Sequence, residues 1–468
     1  MRIKLISRFI SVLLLLLCMQ SLLAASTKVD AQSQFLSLTD IHFNPYDTCA
    51  NATPCPLVEE LRQASVEQWE AILAKYQTTF VSYGADTNYP LLKSALAEAG
   101  KQADLHKVNF VVVLGDYLSH DYNQNFNLYS SDKTQASYQS FVKKSISFVA
   151  AQLAGTFPKQ NIFMAIGNND SYVDDYVSEP HGQFYQDMAD IESGLIKDKA
   201  AQAKMLQELP IGGYYSINLH KQPNLRLIVL NTVLFSAKAQ GDNVDIAAMQ
   251  ELNWFHDQLA IAYARHQKVL ITLHIPASVD VYSTLKKTPY TVIELWKPEY
   301  TQRYQDELKV YSSDIVGVIS GHSHMDFMQV LNNGYNQPIP VSGTPAISPL
   351  FGNNPGFKLY VYSPISLKIT DFTVYIYSLK DQAGWTEEYN FNHIYQPDCH
   401  DCSLIDGMSL LNPTGELADH YINYFATGMN SQPISKTQKW LPFYWCAIHN
   451  MTAIDYQNCV NTTPNWVT

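Results

Sequence analysis

Ile315-Val-Gly-Val-Ile319-Ser320-Gly321-His322-Ser323-His324 decides the fold: a short apolar, β-branched run that stops on a glycine and two histidines. A run of this length bounded by polar residues reads as a buried strand. Phe35–Thr39, Phe110–Leu114, Ile162–Ile166, Leu227–Leu230 and Val269–Leu273 have the same character. Longer stretches of mixed polarity lie between them, Leu57–Tyr76, Leu91–Ala103, Thr134–Leu153 and Ala247–His266, with apolar residues at helical spacing. The alternation predicts a layered α/β architecture.

Five of these strands end in side chains that bind metal. Phe35–Thr39 runs into Asp40-Ile41-His42 and Phe110–Leu114 into Gly115-Asp116. Ile162–Ile166 leads to Gly167-Asn168-Asn169-Asp170, Val269–Leu273 delivers His274, and Ile315–Ile319 delivers His322 and His324. In an open α/β sheet ligands bind beyond the carboxyl ends of the strands, so these groups can converge. Residues i and i+2 of extended chain share a face, which predicts that each Asp-x-His or His-x-His pair acts together. Carboxylate, amide and imidazole are ligands that divalent Zn, Mn or Fe accept. Two such ions about 3.5–4 Å apart would polarise a phosphoryl group and acidify a water for attack. No G-x-S-x-G elbow, P-loop or dinucleotide fingerprint competes with this reading.

The 468 residues are 46% hydrophobic and 16% charged, which excludes disorder and leaves ample chain for a core. A net charge of −12 argues against duplex nucleic acid as a partner, although a metal can hold a small phosphate ester. Residues 1–26 run from Arg2, Lys4 and Arg8 through apolar Ile10–Leu17 to Ala24-Ala25-Ser26, the layout of a secretory signal peptide. Its removal takes three basic and no acidic side chains, which brings the net charge to −15. The expected location is therefore an exported one: extracellular, periplasmic or a lysosome-like lumen. No other segment is long and apolar enough to span a bilayer.

Six cysteines would remain, Cys49, Cys55, Cys399, Cys402, Cys446 and Cys459, an even number that suits an oxidising compartment. Fifteen connectivities are possible. Cys49–Cys55 and Cys446–Cys459 are the simplest local pairs, and Cys399–Cys402 reads as structural rather than redox-active or metal-binding. Asn51, Asn450 and Asn461 begin glycosylation sequons. After Pro338 strand-like runs Lys358–Tyr362 and Thr373–Tyr377 follow without helices between them, and a catalytic domain is expected over 34–380. A C-terminal subdomain over 381–468 holds four of the cysteines and helical spacing at Leu417–Phe425.

Asp-x-His, Gly-Asp, Gly-Asn-Asn-Asp, His and Gly-His-x-His, in this order, resemble the calcineurin-like metallophosphoesterase superfamily. Gly115-Asp116-Tyr-Leu-Ser-His120-Asp121, Gly212-Gly213-Tyr214-Tyr215, Asn231-Thr232, His274-Ile275-Pro276, Asn354-Pro355-Gly356-Phe357 and the Trp445-to-Cys459 ending narrow the resemblance to the acid sphingomyelinase-like phosphodiesterases. It covers about residues 34–468. The resemblance implies a layered β-sandwich flanked by helices, with a small, mainly helical, disulfide-tied C-terminal appendage. It implies two divalent ions, zinc first and manganese or iron as alternatives. Asp40, His42 and His324 would hold one, Asn168, His274 and His322 the other, and Asp116 would bridge them.

His120 matches the position of the histidine that protonates the leaving group, work suited to a tunable imidazole. The alternative for it is a histidine that orients a ligand. Asp121 is a candidate to orient His120. The family usually has His where this chain has Asn169, so Asn169 is a candidate catalytic position that cannot donate a proton in the same way. Ala85 in Tyr83-Gly-Ala-Asp86 stands where relatives tend to have Cys. Tyr117, Tyr172, His181, Tyr214 and Tyr215 are candidates to line the cleft.

The implied function is hydrolysis of phosphodiester or phosphoanhydride bonds of small substrates, nucleotide-like ones first. The alternatives are a sphingomyelin or phospholipid phosphodiesterase releasing phosphocholine, and a catalytically impaired relative that binds a phosphate ligand. Ser26 to Phe35 leaves no room for the lipid-presenting saposin domain that begins acid sphingomyelinase. A purple-type acid phosphatase fits only in outline, through Tyr117.

Overall fold

The computed structural model describes residues 32–50, 52–219, 222–287, 291–399, 402–411, 416–428 and 441–462. The signal peptide reading, Asn51 and the last sequon's Thr463 lie outside them. Twelve strands are described: β1 (Ser33–Leu38), β2 (Phe110–Val113), β3 (Asn161–Met164), β4 (Tyr215–Leu219), β5 (Gln222–Val229), β6 (Lys268–Thr272), β7 (Ile315–Ser320), β8 (Met328–Leu331), β9 (Ile339–Gly343), β10 (Gly356–Tyr362), β11 (Ile369–Tyr377) and β12 (Trp385–Asn390). They form two six-stranded sheets, ordered β12-β11-β10-β1-β2-β3 and β4-β5-β6-β7-β9-β8. All the strands foreseen from the apolar runs are present. Those not foreseen are β4, β8, β9 and β12.

The sheets face each other as a sandwich, closed by apolar packing and by a few polar contacts. Ser37 lies 2.7 Å from Thr344 between their hydroxyls, and Ser342 of β9 accepts from the Lys358 ammonium of β10 at 3.0 Å. Lys358 is fully buried and also reaches Asp326 at 2.6 Å, a paired charge that tolerates the dry interior. Helices Tyr89–Leu105, Gln135–Thr156 and Val244–Ala264 bury one apolar stripe each. Asn88 and Thr134 cap the first two by accepting N–H groups of the opening turn. The single helix expected over Leu57–Tyr76 is instead two, Pro56–Gln63 and Trp69–Tyr76, because Ala64 and Ser65 turn extended between them.

The three cysteine pairs are disulfides, Cys49–Cys55, Cys399–Cys402 and Cys446–Cys459. The last ties helix Leu441–His449 to helix Ala453–Thr462, and Gln329 of β8 donates to the Ala447 carbonyl at 3.0 Å to seat them. Among the described residues no helix is long and apolar enough to cross a membrane.

Where β3 meets β4, Glu192 is fully buried and accepts from the Met164 N–H at 2.8 Å and from the Tyr215 hydroxyl. Burial pushes its carboxyl up from 4.5 to about 8. The folded chain therefore holds a proton between these values that the unfolded chain has released, and stability falls as pH rises through that window. Glu192→Gln, neutral throughout, should lack this loss. Thermal melts at pH 4.5 and pH 8 should show the variant gaining on wild type by a few kcal/mol at the higher pH. A pH-independent difference would contradict the assignment.

Candidate active site

The strands whose carboxyl ends carry the site are all parallel to a neighbour: β1, β2 and β3 in one sheet, β6 and β7 in the other. The two sheets thus deliver their loops to one shared edge. The expectation that Asp40/His42 and His322/His324 act as i, i+2 pairs of extended chain is corrected here. These residues lie beyond the strands, and Asp40, His42, Asp116, His322 and His324 have φ of 47°, 43°, 55°, 69° and 61°. A left-handed backbone costs these residues on the order of 1 kcal/mol each, and such strain collects at functional sites. Hydrogen bonds between the loops hold it. Asp40 N–H donates to Gly115 O at 3.1 Å, His42 N–H to Asp116 O at 2.8 Å and Ser348 N–H to Asp40 O at 3.1 Å. Gly167 and Gly321 allow the close approach, since a Cβ would lie 2.1 Å from the Asp116 nitrogen and 2.1 Å from the Thr39 hydroxyl.

All seven residues expected as ligands meet in this space. His42 Nε2 lies 3.1 Å from His324 Nε2, 3.3 Å from Asp116 Oδ2 and 3.7 Å from Asp40 Oδ1. His324 Nε2 is 3.4 Å from the same Asp40 oxygen. On the other side His274 Nε2 is 3.3 Å from Asp116 Oδ2 and 3.0 Å from Asn168 Oδ1, and its ring is 5.1 Å from that of His322. Asp116 Oδ2 thus faces both groups. Asp116, His274 and His322 offer donor atoms within 4.8 Å of one another, as do Asp40, His42 and Asp116.

The donor set fits cations. His42 Nδ1 lies 2.9 Å from Leu118 O and His274 Nδ1 2.7 Å from Leu114 O. A carbonyl only accepts, so each Nδ1 holds the proton and each Nε2 turns its lone pair inward, the second-sphere arrangement of a metal-ligating histidine. Asp40 Oδ1 is buried with no hydrogen-bond partner. Lone pairs facing one another in a dry site repel unless a positive charge stands among them. The titrations show the same demand for positive charge in this space, met there by a proton on Nε2 rather than by a cation facing its lone pair. Burial disfavours the imidazolium, yet the neighbouring carboxylates, Asp116 first and Asp40 with it, together outweigh burial and raise His42 to about 10 and His274 to about 9. Burial, reinforced by the neighbouring His274 charge, lowers His322 to about 4, and burial takes His324 to about 3.

His120 stacks on His42 with ring centroids 4.1 Å apart and keeps its side chain 30% exposed. Its carboxylate partner is Asp86, not Asp121. Asp86 Oδ1 is 3.1 Å from His120 Nδ1, and Asp86 Oδ2 accepts the His120 N–H at 2.8 Å. Asp121 instead precedes helix Tyr122–Tyr129 in a left-handed conformation. Asn169 turns toward Asp116, donating N–H to Oδ1 and side-chain amide to Oδ2, both at 2.8 Å.

The tyrosines proposed to line the cleft do not. Tyr117, Tyr172 and Tyr215 are buried with hydroxyls on Ala165 O, Asp187 and Glu192, and Tyr214 packs on Trp254. His181 is exposed in the turn that precedes helix Gln183–Ser193. The aromatic neighbours are Tyr176, edge-on to His322 at 6.4 Å, and Phe351, edge-on to His324 at 4.5 Å. Sequence reading also missed Asp86 and the organising role of Asp170, which accepts the N–H groups of Gly167, Asp116 and Tyr117 at 2.9, 2.8 and 2.8 Å.

The calcineurin-like phosphoesterase profile matches residues 34–326, more than half of the chain and every element that carries the cluster. The chain belongs to the calcineurin-like phosphoesterase family. This phosphoesterase continues into an acid sphingomyelin phosphodiesterase C-terminal region over residues 339–466. Among its relatives is the cyclic GMP-AMP phosphodiesterase SMPDL3A of Rattus norvegicus, 25% identical, with 94% of each chain covered. Sphingomyelinase phosphodiesterase D of Dictyostelium discoideum is 25% identical over 78% of this chain and 81% of its own. Acid sphingomyelinase-like phosphodiesterase 3b of Mus musculus is 21% identical, covering 92% and 90%.

Proposed function

We propose that this phosphoesterase is an exported hydrolase of phosphodiester or phosphoanhydride bonds in small, nucleotide-like substrates. The observation that carries the reading is Asp116 Oδ2 standing 3.3 Å from both His42 and His274, one carboxylate oxygen shared by two ligand groups. Asp40, His42 and His324 would hold one divalent ion and Asn168, His274 and His322 the other, with Asp116 between them; zinc suits the imidazole-rich set. Such a pair supplies Lewis-acid polarisation of the phosphoryl oxygens and a water acidified enough to attack. The protein's own residues do the rest. Leu114 and Leu118 carbonyls fix the ring orientation of His274 and His42. Asp86 takes the His120 Nδ1 proton in a hydrogen bond, which leaves Nε2 to deliver a proton to the departing oxygen. Asn169 orients Asp116 in place of the family's usual histidine, so proton delivery falls to His120.

The nucleotide-like preference rests on charge. Lys238 Nζ sits 5.0 Å over the ring of Tyr176, which borders His322. A quaternary ammonium headgroup seeking that aromatic face would meet a cation already on it, whereas a second phosphate would meet a counter-charge. SMPDL3A, named for a dinucleotide substrate, fits that preference. The sphingomyelinase-named relatives support the phosphocholine alternative. Three disulfides agree with export.

Purified chain should contain about two divalent ions. Dialysis against a chelator should abolish hydrolysis of bis(p-nitrophenyl) phosphate, and added zinc or manganese should restore it. Turnover that survives complete metal removal would overturn the reading. Release of nucleoside monophosphate or phosphate from ATP, against release of phosphocholine from sphingomyelin micelles, separates the two substrate classes.

A further inference from the structure

Phe351 is 51% exposed, and among the described residues with large exposed apolar side chains it is the one in ring contact with the cluster. Its ring stands edge-on to His324 at 4.5 Å and 71°, and to His120 at 5.9 Å and 84°. Solvent-exposed aromatic surface on a mobile loop would need no explanation, but this loop is anchored. Ser348 donates its N–H to Asp40 O at 3.1 Å and its hydroxyl to Asp86 Oδ1 at 3.0 Å. Gly84 and Gly352 N–H groups both reach Pro349 O, at 3.1 and 3.0 Å, and Asn353 donates its amide to Ser348 O at 3.0 Å. Gly352, at φ 82°, turns the chain immediately after the ring. The groups that hold Asp40 and steer His120 therefore also hold Phe351, which fixes the ring against the phosphoryl centre.

We infer that Phe351 is a specificity-determining platform for a planar substituent, a nucleobase or another aromatic ring, on the leaving-group side of the scissile bond. The inference rests on the proposed reading of His120 as the group that protonates the leaving oxygen, because Phe351 flanks that histidine. The exposed face offers apolar area and a stacking surface that every nucleobase can use, independent of its hydrogen-bonding pattern. A substrate whose leaving group is a bare phosphate gains nothing from it.

The test is calorimetric binding of phenylphosphonate and methylphosphonate to the metal-loaded full chain, as wild type and as Phe351→Ala, Phe351→Leu and Phe351→Trp. Metal content is measured on each. Wild type should bind phenylphosphonate about tenfold more tightly than methylphosphonate. Phe351→Ala and Phe351→Leu should lose most of that ratio, and Phe351→Trp should keep it. The same ratio in all four proteins, or an equal weakening of both phosphonates in Phe351→Ala, would overturn the platform. Should Phe351→Ala fail to fold, the Leu-against-Trp comparison decides. Binding does not need turnover, so a wild type that binds both phosphonates with the expected ratio yet hydrolyses nothing refutes the proposed function and keeps Phe351 as a ring-binding face while overturning its assignment to a leaving-group side.

Discussion

Asp116→Ala is expected to lower hydrolysis of bis(p-nitrophenyl) phosphate by at least about a thousand-fold, since a lost ion forfeits several kcal/mol of transition-state stabilisation. Its Oδ2 lies 3.3 Å from both His42 and His274, so one substitution reaches both ligand groups. The metal content should fall below two per chain in the same preparation, which separates this outcome from simple loss of reactivity. Asp116 also accepts two hydrogen bonds from Asn169, and the loop after β3 should loosen with it. Full metal content and near-normal turnover in Asp116→Ala would remove the dinuclear site.

His120→Ala is the second large effect, and its size should depend on the substrate. Positioned acid catalysis contributes about 10²–10⁴-fold, and most where the leaving group is a poor one. An alkyl phosphodiester should therefore lose far more than bis(p-nitrophenyl) phosphate, whose phenolate departs with little help. Metal content should be unchanged. Asp86→Asn keeps the ring's neighbour but removes its charge, and should reproduce part of the same leaving-group dependence, while Asp121→Asn should not. Equal losses on both substrates in His120→Ala, or metal depletion, would assign His120 to ligand positioning instead.

The metal-ligand candidates were legible because each of these short apolar runs stops on Asp, Asn or His, with a glycine just before it at Asp116, Asn168 and His322, and parallel strands carry such stops to one edge. What was not legible depends on contacts between distant segments. Asp86 and His120 are 34 residues apart, and nothing local in Tyr83-Gly-Ala-Asp86 marks a carboxylate aimed at an imidazole. Phe351 and Lys238 arrive from loops with no periodicity. The left-handed backbone at the ligands was hidden because the residues there are not glycines. β12 alternates weakly and carries two glutamates, as suits an edge strand, and β9 contains Pro340. Pro210 likewise conceals the helix Lys199–Gly212.

β1 lies between β10 and β2. Ser33 pairs with Tyr362 and Ser37 with Lys358, partners more than 300 residues away along the chain. During synthesis the first strand therefore waits, with one edge bare, until nearly four-fifths of the polypeptide has emerged. A ribosome-bound intermediate shorter than that displays an unpaired apolar edge and depends on holding factors or on speed to avoid pairing with a neighbour. Closing that loop is entropically slow, so assembly of the sheet should limit the folding rate, long after the local helices have formed.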